Sequence, residues 1–295
     1  MTAALHDIGV WAEGEFELAE GARWVDGRLA FVNILAGELL EAHGDAPGPP
    51  LVLARLGVPV GAAAPVHGRP GHWILAAGTG ITLLAPDGQL HWLATPEADA
   101  PVPTRMNDAA CDPAGRFWAG SMAYDATEGA GSLYRADPDG AVHRVLTGLT
   151  IVNGPAFSPD GSQLYVADTA AGTIYRCAVS RAGELSGPDV FARVPPEAGA
   201  PDGMAVDSDG CLWAALWGGS AVCRYHPDGR LLTTIGLPAA QPSSVCLAPS
   251  GGRLLVTTAR HGLDGAAPPA GSVLYVRVPA TAPPACAYRP GPAPA

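Results

Sequence analysis

The feature that most restricts this chain is a recurring turn glycine. Gly27, Gly71, Gly115, Gly161, Gly210 and Gly251 each end a short turn and precede a run of aliphatic or aromatic residues, at spacings of 44, 44, 46, 49 and 41 residues. Copies such as Asp112-Pro-Ala-Gly-Arg-Phe-Trp, Ser158-Pro-Asp-Gly-Ser-Gln-Leu-Tyr-Val and Asp207-Ser-Asp-Gly-Cys-Leu-Trp show the unit clearly. A period in this range is that of one propeller blade. Within each unit the Asp-Gly or Pro-Asp-Gly turn provides the φ values a tight hairpin needs, and Trp, Phe, Tyr, Val and Leu favour strands. Second hairpins at Pro86-Asp87-Gly88, Pro138-Asp139-Gly140 and Pro227-Asp228-Gly229 close the units. No window has the 3.6-residue apolar spacing of a long helix. The expected fold is all-β, a six-bladed β-propeller of four-stranded antiparallel blades. One domain is expected over residues 1–278, with a strand within residues 9–18 closing the last blade. Residues 279–295 read as a loose Pro/Ala-rich tail.

The 38 glycines and 30 prolines would otherwise suggest disorder, but 48% of residues are hydrophobic and the glycines fall between apolar runs. The net charge of −11 and the absence of Lys/Arg runs argue against nucleic acid or an anionic membrane as partner. The first ten residues lack the basic and apolar regions of a secretory signal, and no stretch reaches membrane-spanning length. A cytoplasmic protein is expected, as a monomer or small homo-oligomer. The six cysteines are scattered without a Cys-x-x-Cys pair and read as buried thiols. No Gly-x-Ser-x-Gly elbow is present, which disfavours a serine hydrolase.

Equivalent positions of a radial repeat lie on one ring around the central channel. Eight residues before the turn glycine stand Asn107, Asn153 and Asp202, and in the first unit, whose turn is one residue shorter, Glu20 stands seven before Gly27. The other two units offer Ala63 and Ser243, so the ring is polar on one side. Each residue also has a local reading: Asn153-Gly154 as a hairpin turn, Pro201-Asp202-Gly203 as an ordinary turn, Asn107-Asp108 as an Asx-turn and Glu20-Gly21 as a solvated loop. Separate turns have no reason to share a register, which favours a common site. Two carboxylates and two carboxamides make an oxygen-only cluster suited to a hard divalent cation. Arg105, two residues before Asn107, adds a fork of donors for a hydroxylated or anionic ligand.

The segments Glu20-Gly21-Ala22-Arg23-Trp24, Arg105-Met106-Asn107-Asp108, Asn153-Gly154-Pro155 with Ser158-Pro159-Asp160-Gly161, Pro201-Asp202-Gly203-Met204 and Ala215-Leu216-Trp217-Gly218-Gly219 together resemble the sugar-lactonase family of gluconolactonase and regucalcin (senescence marker protein), most of all its bacterial aldonolactonases. The resemblance implies a six-bladed propeller with one divalent cation held by Glu20, Asn153 and Asp202, and substrate contacts from Arg105 and Asn107. Glu128 is a further substrate-contact candidate by loop position. Ca²⁺ is the expected ion, with Zn²⁺, Mn²⁺, Mg²⁺ or Fe²⁺ as alternatives. Two departures from the family pattern are Ala22 in place of Pro and Asn33 in place of Asp. The expected activity is hydrolysis of a sugar lactone of the glucono-, xylono- or arabinonolactone type to the aldonic acid, with Asp202 as general base. Residues 96–104 are expected to cover the channel mouth as a lid. The rival readings are a non-catalytic calcium-binding or interaction propeller, and an esterase acting on other lactones or organophosphates with the same metal site.

Overall fold

The computed structural model describes residues 7–42, 48–250 and 252–291. The described strands form six four-stranded antiparallel sheets, and the short 3₁₀ turn Pro196–Ala198 is the helical element among the described residues. The innermost strands of blades 1 to 6 are Ala19–Val25, Val60–Pro65, Thr104–Cys111, Val152–Phe157, Ala200–Val206 and Pro242–Leu247. Each packs on the next, and the first packs on the sixth, so the sheets close into a six-bladed propeller. The sixth blade is completed by the strand Ile8–Ala12, which pairs antiparallel with Val273–Arg277. Among the described residues no helix is long and apolar enough to cross a membrane.

The turn glycines take the left-handed conformation that the repeat demands: Gly115, at φ +88°, and Gly161, at φ +71°, are typical. Gly251, the sixth marker, lies outside the described residues. Beyond the turn, the opening Asp of two units has a packing role. Asp112 accepts from the Trp118 indole N–H at 2.9 Å and pairs with Arg116 at 2.6 Å, and Asp207 does the same for Trp213 at 2.9 Å and Arg224 at 2.6 Å. Each buried tryptophan thus has its N–H satisfied while its ring fills the space between sheets. The core is a set of such clusters, one joining Trp213 and Val222 to Val245, Leu254, Leu274 and Val276.

Residues 279–291 correct the expectation of a loose tail. They run across the end of the propeller where the repeat turns lie, with backbone hydrogen bonds from Ala285 to Trp24 (2.8 Å), Tyr288 to Pro65 (2.9 Å) and Arg289 to Gly115 (2.9 Å). The Tyr288 ring is 1% exposed, packs with Phe117 and Tyr134, and donates its hydroxyl to the Asp137 carbonyl at 2.8 Å. Pro283, Pro284 and Cys286 line a cavity of about 150 Å³ at that end, with Trp24, Met204 and Val245. All six cysteines are free thiols, and five of them are buried.

Candidate metal centre at the channel mouth

Every inner strand breaks its pairing with the second strand near the ring position: between Glu20 and Arg23, Val60 and Ala62, Met106 and Ala109, Asn153 and Ala156, Pro201 and Met204, and Pro242 and Ser244. A bulge re-aims a side chain and leaves its neighbours unpaired. Asn153-Gly154 and Asp202-Gly203 therefore sit inside strands, and neither forms a hairpin turn. Crowding at the axis explains the glycines that follow. A Cβ on Gly203 would lie 2.7 Å from the Ser244 Cα, and one on Gly61 would strike the Asn107 backbone. That second contact holds the Gly61 backbone against that of Asn107. In blade 6, Ser243 turns its hydroxyl to the Ala19 carbonyl at 2.5 Å and to Thr257.

Glu20, Asn107, Asn153 and Asp202 come together with Arg105, all but buried, at 3–7% exposure. A hydrogen-bond chain fixes three of them. Arg105 Nη1 donates to Asn107 Oδ1 (2.6 Å) and to the Met106 carbonyl (3.0 Å), and Asn107 Nδ2 donates to Asn153 Oδ1 (2.6 Å) and the Val152 carbonyl (3.0 Å). Asn153 Nδ2 donates to Thr169 Oγ1 at 2.9 Å, and that hydroxyl donates to the carbonyl of Pro201 at 2.7 Å, one residue before Asp202. Thr169 thereby aims the oxygen of Asn153 into the channel. Beneath the cluster Arg23 Nη2 pairs with Asp108 Oδ1 at 3.0 Å, and Asp108 Oδ2 accepts from the backbone N–H of Gly154 at 3.0 Å.

The electrostatics are those of crowded, desolvated carboxyls. Burial first, and then the negative charge of Asp108, push Glu20 up to about 8. Burial and the neighbouring Glu20 and Asp108 charges hold Asp202 well above the carboxylate range. Burial lowers Arg105, against the opposing pull of Tyr124, Glu20 and Asp202. Asp202 Oδ1 is buried with no hydrogen-bond partner. A divalent cation would supply positive charge to an orphaned carboxylate oxygen beside a second buried carboxyl. Among the described residues no group of three His, Cys, Asp or Glu side chains is placed to hold a metal ion, so an ion here depends on carboxamide oxygen as well. Glu20, Asp202 and Asn153 fit such an ion by charge and by donor type.

Glu128 lies exposed in the loop between the strands Phe117–Ala123 and Gly131–Ala136, and Tyr124 of that loop is within electrostatic reach of Arg105. Asn33 is structural: its Oδ1 accepts from the Leu18 N–H (3.3 Å) and its Nδ2 donates to Glu38 (3.1 Å), bracing the entry to the Glu20 strand. Sequence reasoning left Thr169, Tyr124, Arg23 and Asp108 without roles. For Arg23 and Asp108 the available signal was adjacency to ring segments, and for Thr169 the end of a blade's second strand.

Residues 18–260 match the family described as SGL, the SMP-30/Gluconolactonase/LRE-like region. The chain is 42% identical over 172 residues to an L-arabinolactonase of Azospirillum brasilense, a match covering 57% of each chain. It is 42% identical over 167 residues to a pentonolactonase of Haloferax volcanii, covering 56% of this chain and 57% of that one. These matches thus span little more than half the length of either relative. The solved structure of a calcium-binding protein, regucalcin, from Agrobacterium tumefaciens aligns with a TM-score of 0.86 at 31% identity, over 95% of this chain and 96% of that chain. With the family match running through all six inner strands, the chain belongs to the SMP-30/gluconolactonase/LRE-like family.

Proposed function

We propose that the protein is a metal-dependent sugar lactonase that opens a five- or six-membered aldonolactone to the aldonic acid. The observation that carries this reading is the buried Glu20–Asp202 pair with its orphaned Asp202 oxygen, beside the donors of Arg105, in a chain of this family. Two relatives named for pentonolactone or arabinolactone hydrolysis support that substrate class. Glu20, Asn153 and Asp202 would hold one divalent cation, with Ca²⁺ first among candidates for an all-oxygen set. Such an ion supplies polarisation of the lactone carbonyl and a lowered pKa for water.

The chain's own groups perform the remaining work. Asp202 takes the proton from the attacking water as a C–O bond forms at the carbonyl carbon. When the ring C–O bond breaks, that proton passes to the leaving alkoxide, which restores the carboxylate. The described hydrogen bonds of the Arg105 guanidinium both leave through Nη1, so Nη2 and Nε are available to ring hydroxyls. Asn107, locked between Arg105 and Asn153, keeps that fork in register with the carboxylates. The docked tail and the Arg23–Asp108 pair lie towards the opposite end of the channel.

The name of the Agrobacterium relative favours a second reading, a calcium-binding protein without turnover. A proton-release assay on glucono-, xylono-, arabinono- and galactonolactone, with and without added divalent ions, separates the two. Turnover of a pentonolactone above the spontaneous rate is the expected result. Calcium binding with no turnover of any lactone would replace the enzyme reading with the second one.

A further inference from the structure

One buried acid outside the cluster has no part in the chemistry above. Glu97 is 5% exposed and belongs to residues 95–103, which lead from the outer strand of blade 2 (Leu90–Ala94) to the inner strand of blade 3. Its side chain enters the top of blade 3. Oε1 accepts from Ser121 Oγ at 2.6 Å and from the Tyr134 hydroxyl at 2.7 Å, while Oε2 accepts from Thr104 Oγ1 at 3.3 Å. Arg144 donates to the same Tyr134 hydroxyl at 3.0 Å and lies over its ring at 5.4 Å. The Glu97 N–H is held by the Thr79 carbonyl at 3.1 Å, and the Pro103 carbonyl accepts from the Tyr124 N–H at 3.0 Å. A carboxyl buried with three hydroxyl donors is a costly feature to place in a crossover loop unless the loop's position matters. The residue that follows Thr104 is Arg105.

We propose that Glu97 is a positioning residue for substrate binding: it pins residues 95–104 across the edge of the channel mouth and so fixes where the Arg105 guanidinium stands. The proposal rests on Arg105 contacting the substrate, as assigned above. It also means that this segment is a fixed wall of the mouth, not the lid that its composition suggests. Loss of the clamp lets Arg105 drift while leaving the cation-binding residues untouched. Because Arg105 binds the sugar in both ground and transition states, the defect appears in KM with kcat preserved.

The test compares Glu97→Gln and Glu97→Ala with Asp112→Asn. Asp112 is an equally buried acid of the same blade at the opposite end, tied to Arg116 and Trp118. For the Ca²⁺-loaded full chain, Glu97→Ala is expected to raise lactone KM about tenfold, since small displacements of binding groups are costly. Its kcat and its Ca²⁺ affinity stay at the wild-type values, and Glu97→Gln has a smaller effect of the same kind. Asp112→Asn lowers Tm with KM unchanged. If both acids lower Tm and neither moves KM, Glu97 is structural only and the proposal is overturned. Hydrogen exchange provides a readout independent of turnover: amides of residues 95–106 exchange faster in Glu97→Gln, with the rest of blade 3 unchanged. Unchanged exchange there overturns the clamp even if the protein hydrolyses no lactone, whereas a loosened segment in an inactive protein supports the clamp and removes only the substrate assignment.

Discussion

At the residue scale, the cluster works through burial. Asp202 and Glu20 are carboxyls that water cannot stabilise, so each responds strongly to whatever charge is brought near. Asp202→Asn is expected to lower kcat/KM by about 10²- to 10⁴-fold, the range for loss of a general base, with the protein still folded by circular dichroism. Thr169→Val, which frees the amide of Asn153, is expected to weaken Ca²⁺ binding about 10- to 100-fold by calorimetry, as loss of a ligand-orienting partner does. The raised Glu20 gives a pH prediction of definite sign. Folded Glu20 holds its proton to about 8 and the unfolded group only to near 4.5, so in this window the folded state binds more protons. The metal-free protein therefore loses stability as pH rises from 4.5 towards 8, and saturating Ca²⁺ abolishes the loss; thermal unfolding in chelator and in Ca²⁺ measures both. Glu20, Asn107, Asn153 and Asp202 were legible because the blades repeat, and a shared register converts sequence position into position around an axis. Glu128 lies in a loop whose length the repeat does not govern, so counting had no ruler there. The pairing of Arg23 with Asp108 spans blades 1 and 3, a contact that no local pattern displays.

At the element scale, bulged inner strands are the device that turns side chains into the channel. Dipeptides such as Asn153-Gly154 carry the chemistry of hairpin turns, and within a single segment nothing distinguishes a turn from a bulge; both use a positive φ at the glycine, here +52°. The distinction came from the turn glycine eight residues on, which already supplies the reversal. The glycines after the ring residues are also spacers between strands. Gly203→Ala places a methyl group 2.7 Å from the Ser244 Cα, and a cost of about 1–3 kcal/mol is expected from such overpacking, measured by urea unfolding. Wild-type stability in that variant would show that the inner strands have room to separate.

At the scale of the whole molecule, the six-fold repeat was legible because hairpin turns, strand propensity and period agree with one another. The tail was not. Pro and Ala carry little local signal, and the docking of residues 279–291 depends on a complementary surface assembled from blades 1, 2, 3, 5 and 6. Its anchor is Tyr288, so Tyr288→Ala is expected to cost about 3 kcal/mol, in line with other truncations of large buried rings. Since the anchor sits at the end opposite Asp202, lactone KM in that variant stays at the wild-type value. In the proposed function, Glu20, Asn153 and Asp202 hold one divalent cation without which the lactone is not opened. The most direct test is to strip the protein with chelator and titrate Ca²⁺ back while following proton release from a pentonolactone. No turnover is expected in the stripped protein, and recovery is expected to saturate at one ion per chain, with no recovery for Asp202→Ala. Full turnover by protein shown to be metal-free would contradict the proposed function.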